Sequence, residues 1–130
     1  MDTYTVALFG EAEKGQFQTA YHCRTLPQLV ECFGHPPPDS VGLHFAVQAL
    51  LYERDLIFFR VREEGFSLHD YFHGIELLTN QNLITNLAAI GVPGVGDKRL
   101  LDAFDDLCER FHSFIITSER DLYDILTGDN

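Results

Sequence analysis

The chain has 130 residues, 45 % of them hydrophobic, including eleven Phe and five Tyr. This length and composition predict a single domain over residues 1–130, with a core that forms without disulfides or a metal. The formal net charge of −11 argues against nucleic acid and membrane as partners, because an acidic chain repels phosphate backbones and anionic lipid surfaces.

The N-terminal third predicts two strands and a short helix. The apolar run TYTVALF, at 3–9, is typical of a buried first strand, and Phe17–Cys23 can form a second strand that pairs with it as an N-terminal hairpin. Thr25 with Gln28 has the pattern of a capping box, which opens a short helix, and Gly34 ends that helix.

The middle of the chain predicts a loop, a helix and a buried strand. The segment HPPPDS, at 35–40, contains three consecutive prolines and must be an extended surface loop. Apolar residues between Leu43 and Leu51 follow helical spacing, and the run LIFFRV, Leu56–Val61, is typical of a strand covered on both faces.

The second half of the chain alternates between helices and strands. Ser67 with Asp70 has a capping-box pattern that predicts a helix to about Leu78. The remaining predicted elements are a strand at Leu87–Val92, a helix from about Lys98 to Phe111, a strand at Phe114–Thr117 and a last helix capped by Ser118 with Asp121. This order predicts a three-layer α/β sandwich with a mostly parallel central sheet and helices on both faces, apart from the possible N-terminal hairpin.

The spacing of the cysteines and the composition of the N-terminus indicate the cellular compartment of the protein. Cys23, Cys32 and Cys108 stand far apart without CxxC spacing, as is typical of buried free thiols in a reducing environment. The N-terminus lacks the features of a secretion signal, and no apolar run approaches the ~20 residues that a membrane span needs. We therefore expect a cytoplasmic protein.

The stretch LFGEAEKGQF, at 8–17, carries the glycine frame of a phosphate-binding P-loop in Gly10 and Gly15. A P-loop requires Lys and then Ser or Thr after the second glycine, where this chain has Gln16 and Phe17. Two glutamates in the loop add negative charge where phosphates would lie. These substitutions favour a turn that needs the positive φ of glycine over a nucleotide site.

The sequence HDYFH presents two possible metal ligands, His69 and His73, one helical turn apart. It is similar to the zincin HExxH motif with Asp70 in place of Glu, and Glu76 could supply a third ligand. The alternative is that these are ordinary histidines on an exposed helix.

A second candidate site is the PGVGD segment, Pro93–Asp97, which lies between a predicted strand and helix. Ligands in open α/β sheets bind at this edge, so Gly94, Gly96 and Asp97 could hold an anion or a nucleotide. The alternative is that Asp97 simply caps the following helix.

Charged and reactive residues do not form a catalytic constellation in this sequence. The acidic stripe from Asp102 to Glu109 is interpreted as a solvated helix face, with a surface for a basic partner as the alternative. We therefore predict no catalytic residue and no cofactor, and a structural or binding role.

The motifs in order resemble the core domain of contractile-tail sheath proteins, found in phages and phage-derived injection systems. That domain begins with a strand and a Gly-x-Ala-x-Lys-Gly turn, which Gly10, Ala12, Lys14 and Gly15 match. Four further segments follow in the order found in the family, namely CRTLPQLVECFG, FAVQALLYERDLIFFRV, YFHGIELL and LAAIGVPGVGD. The resemblance therefore covers about residues 5–117.

This resemblance also has departures. Gln16 replaces the usual Pro, and Glu-Arg-Asp at 53–55 replaces a Gly-Gly pair. Sheath subunits are longer and link to one another through extended terminal arms, so we expect a truncated form that lacks them.

The predicted function is a non-enzymatic protein-interaction or assembly domain. It would dock to a second copy or to another protein partner, through the edge strand near 17–21 or through loops. The alternative function is a regulatory domain that binds a small anion or nucleotide at Pro93–Asp97. The predicted interaction residues are Glu11, Glu13, Lys14, Gln16, Phe17, Pro37 and Asp39.

Overall fold

The computed structural model describes residues 4–80 and 87–127. The strands are β1 (Thr5–Gly10), β2 (Ala20–Cys23), β3 (Asp55–Arg60), β4 (Leu87–Gly91) and β5 (Phe114–Ile116). The helices are α1 (Leu26–Phe33), α2 (Gly42–Leu51), α3 (Leu68–Asn80), α4 (Lys98–Phe111) and α5 (Glu119–Thr127). Residue 3, the first of the predicted N-terminal strand, lies outside the described residues. Within the described ranges, no helix is long and apolar enough to cross a membrane.

The five strands form one sheet in the order β2-β3-β1-β4-β5. Strands β1, β3, β4 and β5 run parallel, and β2 runs antiparallel to β3. The prediction of a mostly parallel α/β sheet is therefore confirmed. The predicted N-terminal hairpin is wrong, since β2 pairs with β3, as in Ala20 opposite Phe59. Because β3 and β4 flank β1 on its two sides, β1 has no free edge to offer β2.

Helices cover both faces of the sheet, so the predicted three layers are confirmed. Side chains alternate between the faces along β1. Val6 and Leu8 pack toward α1, α2 and α5, whereas Ala7 and Phe9 pack toward α3 and α4. All four are fully buried, which explains why the central strands are almost continuously apolar.

One of the two predicted capping boxes forms. The Thr25 hydroxyl accepts from the backbone N–H of Gln28, whose side chain accepts from the backbone N–H of Thr25. The box predicted for α3 is wrong. The carboxylate of Asp70 accepts instead from the backbone N–H and guanidinium of Arg62, and the Ser67 hydroxyl bonds to the backbone of Glu63. Burial of Asp70 beside Arg62 outweighs the local pattern.

Candidate interaction surface

The loop between β1 and β2 is tied to the end of α1 and to β2. The backbone N–H groups of Glu13 and Lys14 both donate to the carbonyl of Phe33, at 3.1 and 3.2 Å. The backbone N–H of Gln16 donates to the Tyr21 hydroxyl at 2.8 Å. The side chains of Glu13, Lys14 and Gln16 remain exposed, so a fixed backbone presents them to solvent.

The two glycines of the P-loop frame have different roles. Gly15 has a φ of +110°, which confirms that the turn there needs glycine. Gly10 instead ends β1, where an added Cβ would lie 2.7 Å from the Cα of Gly42. The prediction is therefore right for Gly15 and wrong for Gly10, which allows β1 and α2 to approach closely.

An anion-binding position at the carboxyl edge of the sheet holds the carboxylate of Glu64. This carboxylate accepts from the backbone N–H groups of Glu11 at 2.9 Å, Val41 at 3.0 Å and Gly42 at 3.2 Å. The last two belong to the start of α2, where a helix favours negative charge. Glu64 therefore caps α2 from the β3–α3 loop and fills the anion position from within the chain.

The HPPPDS loop lies beside the β1–β2 loop. The Glu13 carboxylate accepts from the backbone N–H of His35 at 3.2 Å, which joins the two predicted segments. Within the loop, the carbonyl of Pro37 accepts from both the backbone N–H and the hydroxyl of Ser40. Pro37 is half-buried and Asp39, with a φ of +63°, is exposed. Of the two residues predicted for interaction in this loop, Asp39 is the one fully presented to solvent.

Phe17 lies between two arginines of the chain itself. The Arg60 and Arg62 guanidinium carbons are each 4.3 Å from the centroid of its ring. Arg60 also donates to the carbonyl of Gly15 at 2.6 Å. Phe17 is therefore half-buried in cation–π contacts, and it supports the surface more than it presents an open aromatic face.

Sequence reasoning missed two exposed apolar side chains that border Glu64. Phe66, in the turn after β3, is 70 % exposed, and Val41, just before α2, is 42 % exposed. A Phe placed between Gly65 and Ser67 in a polar turn is the signal that could have identified the first. We define the loop surface as eight of the exposed side chains in the loops at this carboxyl edge of the sheet, namely Glu13, Lys14, Gln16, Pro36, Pro38, Asp39, Val41 and Phe66.

The PGVGD segment contacts the Glu64 turn at its first glycine. A Cβ added to Gly65 would lie 2.4 Å from the carbonyl oxygen of Gly94, so the two loops meet backbone to backbone. Gly96 faces open space, because nothing lies within 4 Å of a Cβ built there. Gly94 is therefore engaged in packing against Gly65, and position 96 has room for a side chain among the described residues.

Asp97 occupies the N-terminus of α4. Its carboxylate accepts from the backbone N–H groups of Arg99 at 2.9 Å and Leu100 at 3.4 Å, and the Arg99 guanidinium lies 3.0 Å away. The hydrogen bond from the Arg99 side chain is the main cause that lowers the pKa of Asp97. These contacts identify Asp97 as the N-cap of α4. They agree with the alternative stated above, in which Asp97 caps the helix that follows it.

His69 and His73 both lie on α3, the first exposed and the second half-buried. The Asp70 side chain, only 1 % exposed, is paired with Arg62. Asp70 therefore cannot serve as the general base of a zincin-like site. Among residues 4–80 and 87–127, no three His, Cys, Asp or Glu side chains gather as metal ligands, so the structure does not bring Glu76 in as a third ligand.

A small cleft of about 130 Å³ opens at the amino ends of β1 and β3 and the carboxyl end of the antiparallel β2. The Arg24 guanidinium lies 3.5 Å from the Asp55 carboxylate beside it. Burial, followed by the neighbouring Cys32 thiol, raises the pKa of the Cys23 thiol to about 12, so Cys23 is no nucleophile. Sequence reasoning did not identify this cleft, which is lined by Thr5, His22, Cys23, Arg24, Asp55, Leu56 and Ile57.

Comparison with known proteins gives no relative. The chain matches no protein-family model, no curated protein and no solved structure. The resemblance to sheath core domains therefore remains a prediction from sequence motifs.

Proposed function

We propose that the chain is a non-enzymatic protein-interaction domain that docks a protein partner, or a second copy of itself, through the loop surface. One observation carries this proposal. At the carboxyl edge of the sheet, the chain's own carboxylates accept from the backbone N–H groups that could bind an anion, while hydrogen-bonded loops expose polar and apolar side chains around them.

The occupied positions argue against a small anion as the ligand. Glu64 holds the backbone N–H of Glu11 and two backbone N–H groups at the start of α2, and Asp97 holds two at the start of α4. A phosphate or carboxylate ligand would have to displace one of these carboxylates from its hydrogen bonds, and bonds to charged groups are stronger than those between neutral groups. Docking of a protein on the outer side of the loops requires no such displacement.

The fixed backbone of the loops favours docking. Ordering mobile side chains and loops on association costs free energy, so preorganised loops bind more tightly. Here hydrogen bonds to Phe33, Tyr21 and Glu13 hold the loops before any partner arrives. Phe66 offers an exposed aromatic side chain, and aromatic residues are enriched in the cores of protein interfaces.

The sequence resemblance supports the same class of function. The turn that resembles sheath core domains contains Lys14 and leads into Gln16, and both side chains belong to the loop surface. Sheath proteins act by assembly, and the resemblance implies an assembly role for this domain.

Two variants test the proposal against a matched control. Sedimentation at high protein concentration measures self-association, and affinity capture from the native cells measures binding to other proteins. We expect Phe66→Ser and Lys14→Glu to abolish the association observed. Phe114→Ser should retain it, because Phe114 is similarly exposed, at 64 %, but lies in β5. A monomer that captures no protein, or equal losses at positions 66 and 114, would contradict the proposal.

A further inference from the structure

We propose that His69 and His73 form a binding site for a divalent transition-metal ion on α3. The helix is continuous from Leu68 to Asn80, so the two residues lie one turn apart on the same face. Side chains at this spacing have Cβ atoms about 5–6 Å apart. Two imidazoles at that separation can share one ion at the usual metal–nitrogen distance of about 2.0–2.1 Å.

The surroundings of the two rings determine which nitrogens can bind. His69 is exposed to solvent. The Nδ1 atom of His73 is buried and has no hydrogen-bond partner within the described ranges. Because the Nδ1 side of this half-buried ring faces inward, Nε2 is the nitrogen that can reach an ion shared with His69.

The ligand set determines the class of ion. Two neutral imidazoles suit Zn²⁺, Ni²⁺ and Cu²⁺, whereas Mg²⁺ and Ca²⁺ prefer oxygen ligands. The chain's net charge of −11 and the exposed Glu76 on the same helix raise the local concentration of cations. With two protein ligands, the remaining coordination positions of the ion are left to water.

The arrangement indicates binding and not metal-assisted hydrolysis. The zincin motif places a carboxylate next to its two histidines as the general base. Here the corresponding Asp70 is buried and paired with Arg62, so it cannot activate a metal-bound water.

Titration of the untagged full chain with NiCl₂ and ZnCl₂, followed by calorimetry and thermal unfolding, tests this site. We expect one ion per chain and a rise in Tm, because an ion that binds only the folded state stabilises it. His69→Ala and His73→Gln should each weaken binding at least about 10-fold, since each removes one of two ligands.

His44→Ala and His112→Ala are the matched controls, because both histidines are exposed and lie on other elements. Both controls should bind the ion as tightly as the unaltered chain. Glutamine is close to histidine in size, so His73→Gln should preserve the fold. His69 is exposed, so His69→Ala tests the site without disturbing the core. Binding that survives both His69→Ala and His73→Gln, or a stoichiometric site lost in His44→Ala or His112→Ala, would overturn the proposal. Absence of any saturable binding would do the same.

Discussion

Glu11 and Glu64 hold each other through reciprocal hydrogen bonds, in which each carboxylate accepts from the other's backbone N–H at 2.9 Å. The two residues lie in the loops that follow β1 and β3. The Glu64 carboxylate also accepts from the first N–H groups of α2. This pair therefore joins three segments at the carboxyl edge of the sheet and fixes the base of the loop surface.

Replacement of Glu64 should destabilise the fold. Glu64→Ala leaves three backbone N–H groups without their acceptor and removes the cap of α2, so we expect a loss of about 2 kcal/mol in the free energy of unfolding. Urea denaturation monitored by circular dichroism measures this loss. Glu63→Ala is the control, because Glu63 is an exposed neighbour in the same loop, and it should change stability by less than about 0.5 kcal/mol. Equal effects of the two substitutions would show that Glu64 is not a cap.

The pair of Arg62 and Asp70 should contribute more than a surface ion pair. Asp70 is buried with a side chain 1 % exposed, so Arg62→Ala leaves a carboxylate without its charged partner. We expect a loss of about 2 kcal/mol, below the usual cost for a fully buried pair because Arg62 is itself largely exposed. Lys98→Ala, which breaks the exposed pair with Asp102, should change the free energy of unfolding much less, because water screens a surface ion pair. Chemical denaturation measures the loss in the free energy of unfolding for both variants. Similar losses would contradict a larger contribution from the pair of Arg62 and Asp70.

Glycine at position 10 should be essential for packing. Gly10→Ala would place a Cβ 2.7 Å from the backbone of Gly42, so β1 and α2 would have to separate. We expect a loss of at least about 2 kcal/mol, or failure to fold. Gly96→Ala meets nothing within 4 Å and should be nearly neutral. Thermal unfolding of the two variants compares them, and a neutral Gly10→Ala would show that the close approach is not required.

The free energy of unfolding should fall at alkaline pH, partly because the Cys23 thiol loses its proton at lower pH in the unfolded chain than in the folded one. Burial raises the pKa of its thiol in the folded state from 9.0 to about 12. Between these values the unfolded chain loses a proton that the folded chain retains, so stability decreases as pH rises. We expect this thiol to account for a loss of about 1 kcal/mol between pH 8 and pH 10.

Urea denaturation at these two pH values compares Cys23→Ala with the unaltered chain. The variant should show the smaller decrease in the free energy of unfolding between pH 8 and pH 10. Equal decreases in the two proteins would mean that the Cys23 thiol does not retain its proton on folding.

Local signals in the sequence were sufficient to predict most helices and strands. The helix α4 begins at Lys98 and ends at Phe111 as predicted, because Asp97 caps it and its apolar residues keep helical spacing. The partner of β2 could not be predicted, since strand order depends on contacts that no local pattern encodes. The capping box of α3 failed for a related reason, because Asp70 has a tertiary partner that replaces the local one.

The candidate site was predicted only in part. Lys14, Gln16 and Asp39 stood out as exposed loop residues, and the structure exposes them. Glu64 was missed because it bonds to Glu11, 53 residues away, and to Val41, 23 residues away. A glutamate in a charged turn gives no sign of such contacts in the sequence alone. The sequence led us to assign the opposition to phosphate to the two glutamates of the first loop, whereas the carboxylate that fills the anion position comes from Glu64.

Photocrosslinking from position 66 tests the docking proposal most directly. A photoreactive amino acid replaces Phe66 in the full chain, and a second protein carries it at the similarly exposed Phe114. After irradiation in the native cells, we expect a discrete protein adduct, either a second copy or another protein, from position 66. Lys14→Glu should abolish this adduct, and position 114 should give none. No adduct from position 66, or the same adduct from both positions, would contradict docking through the loop surface.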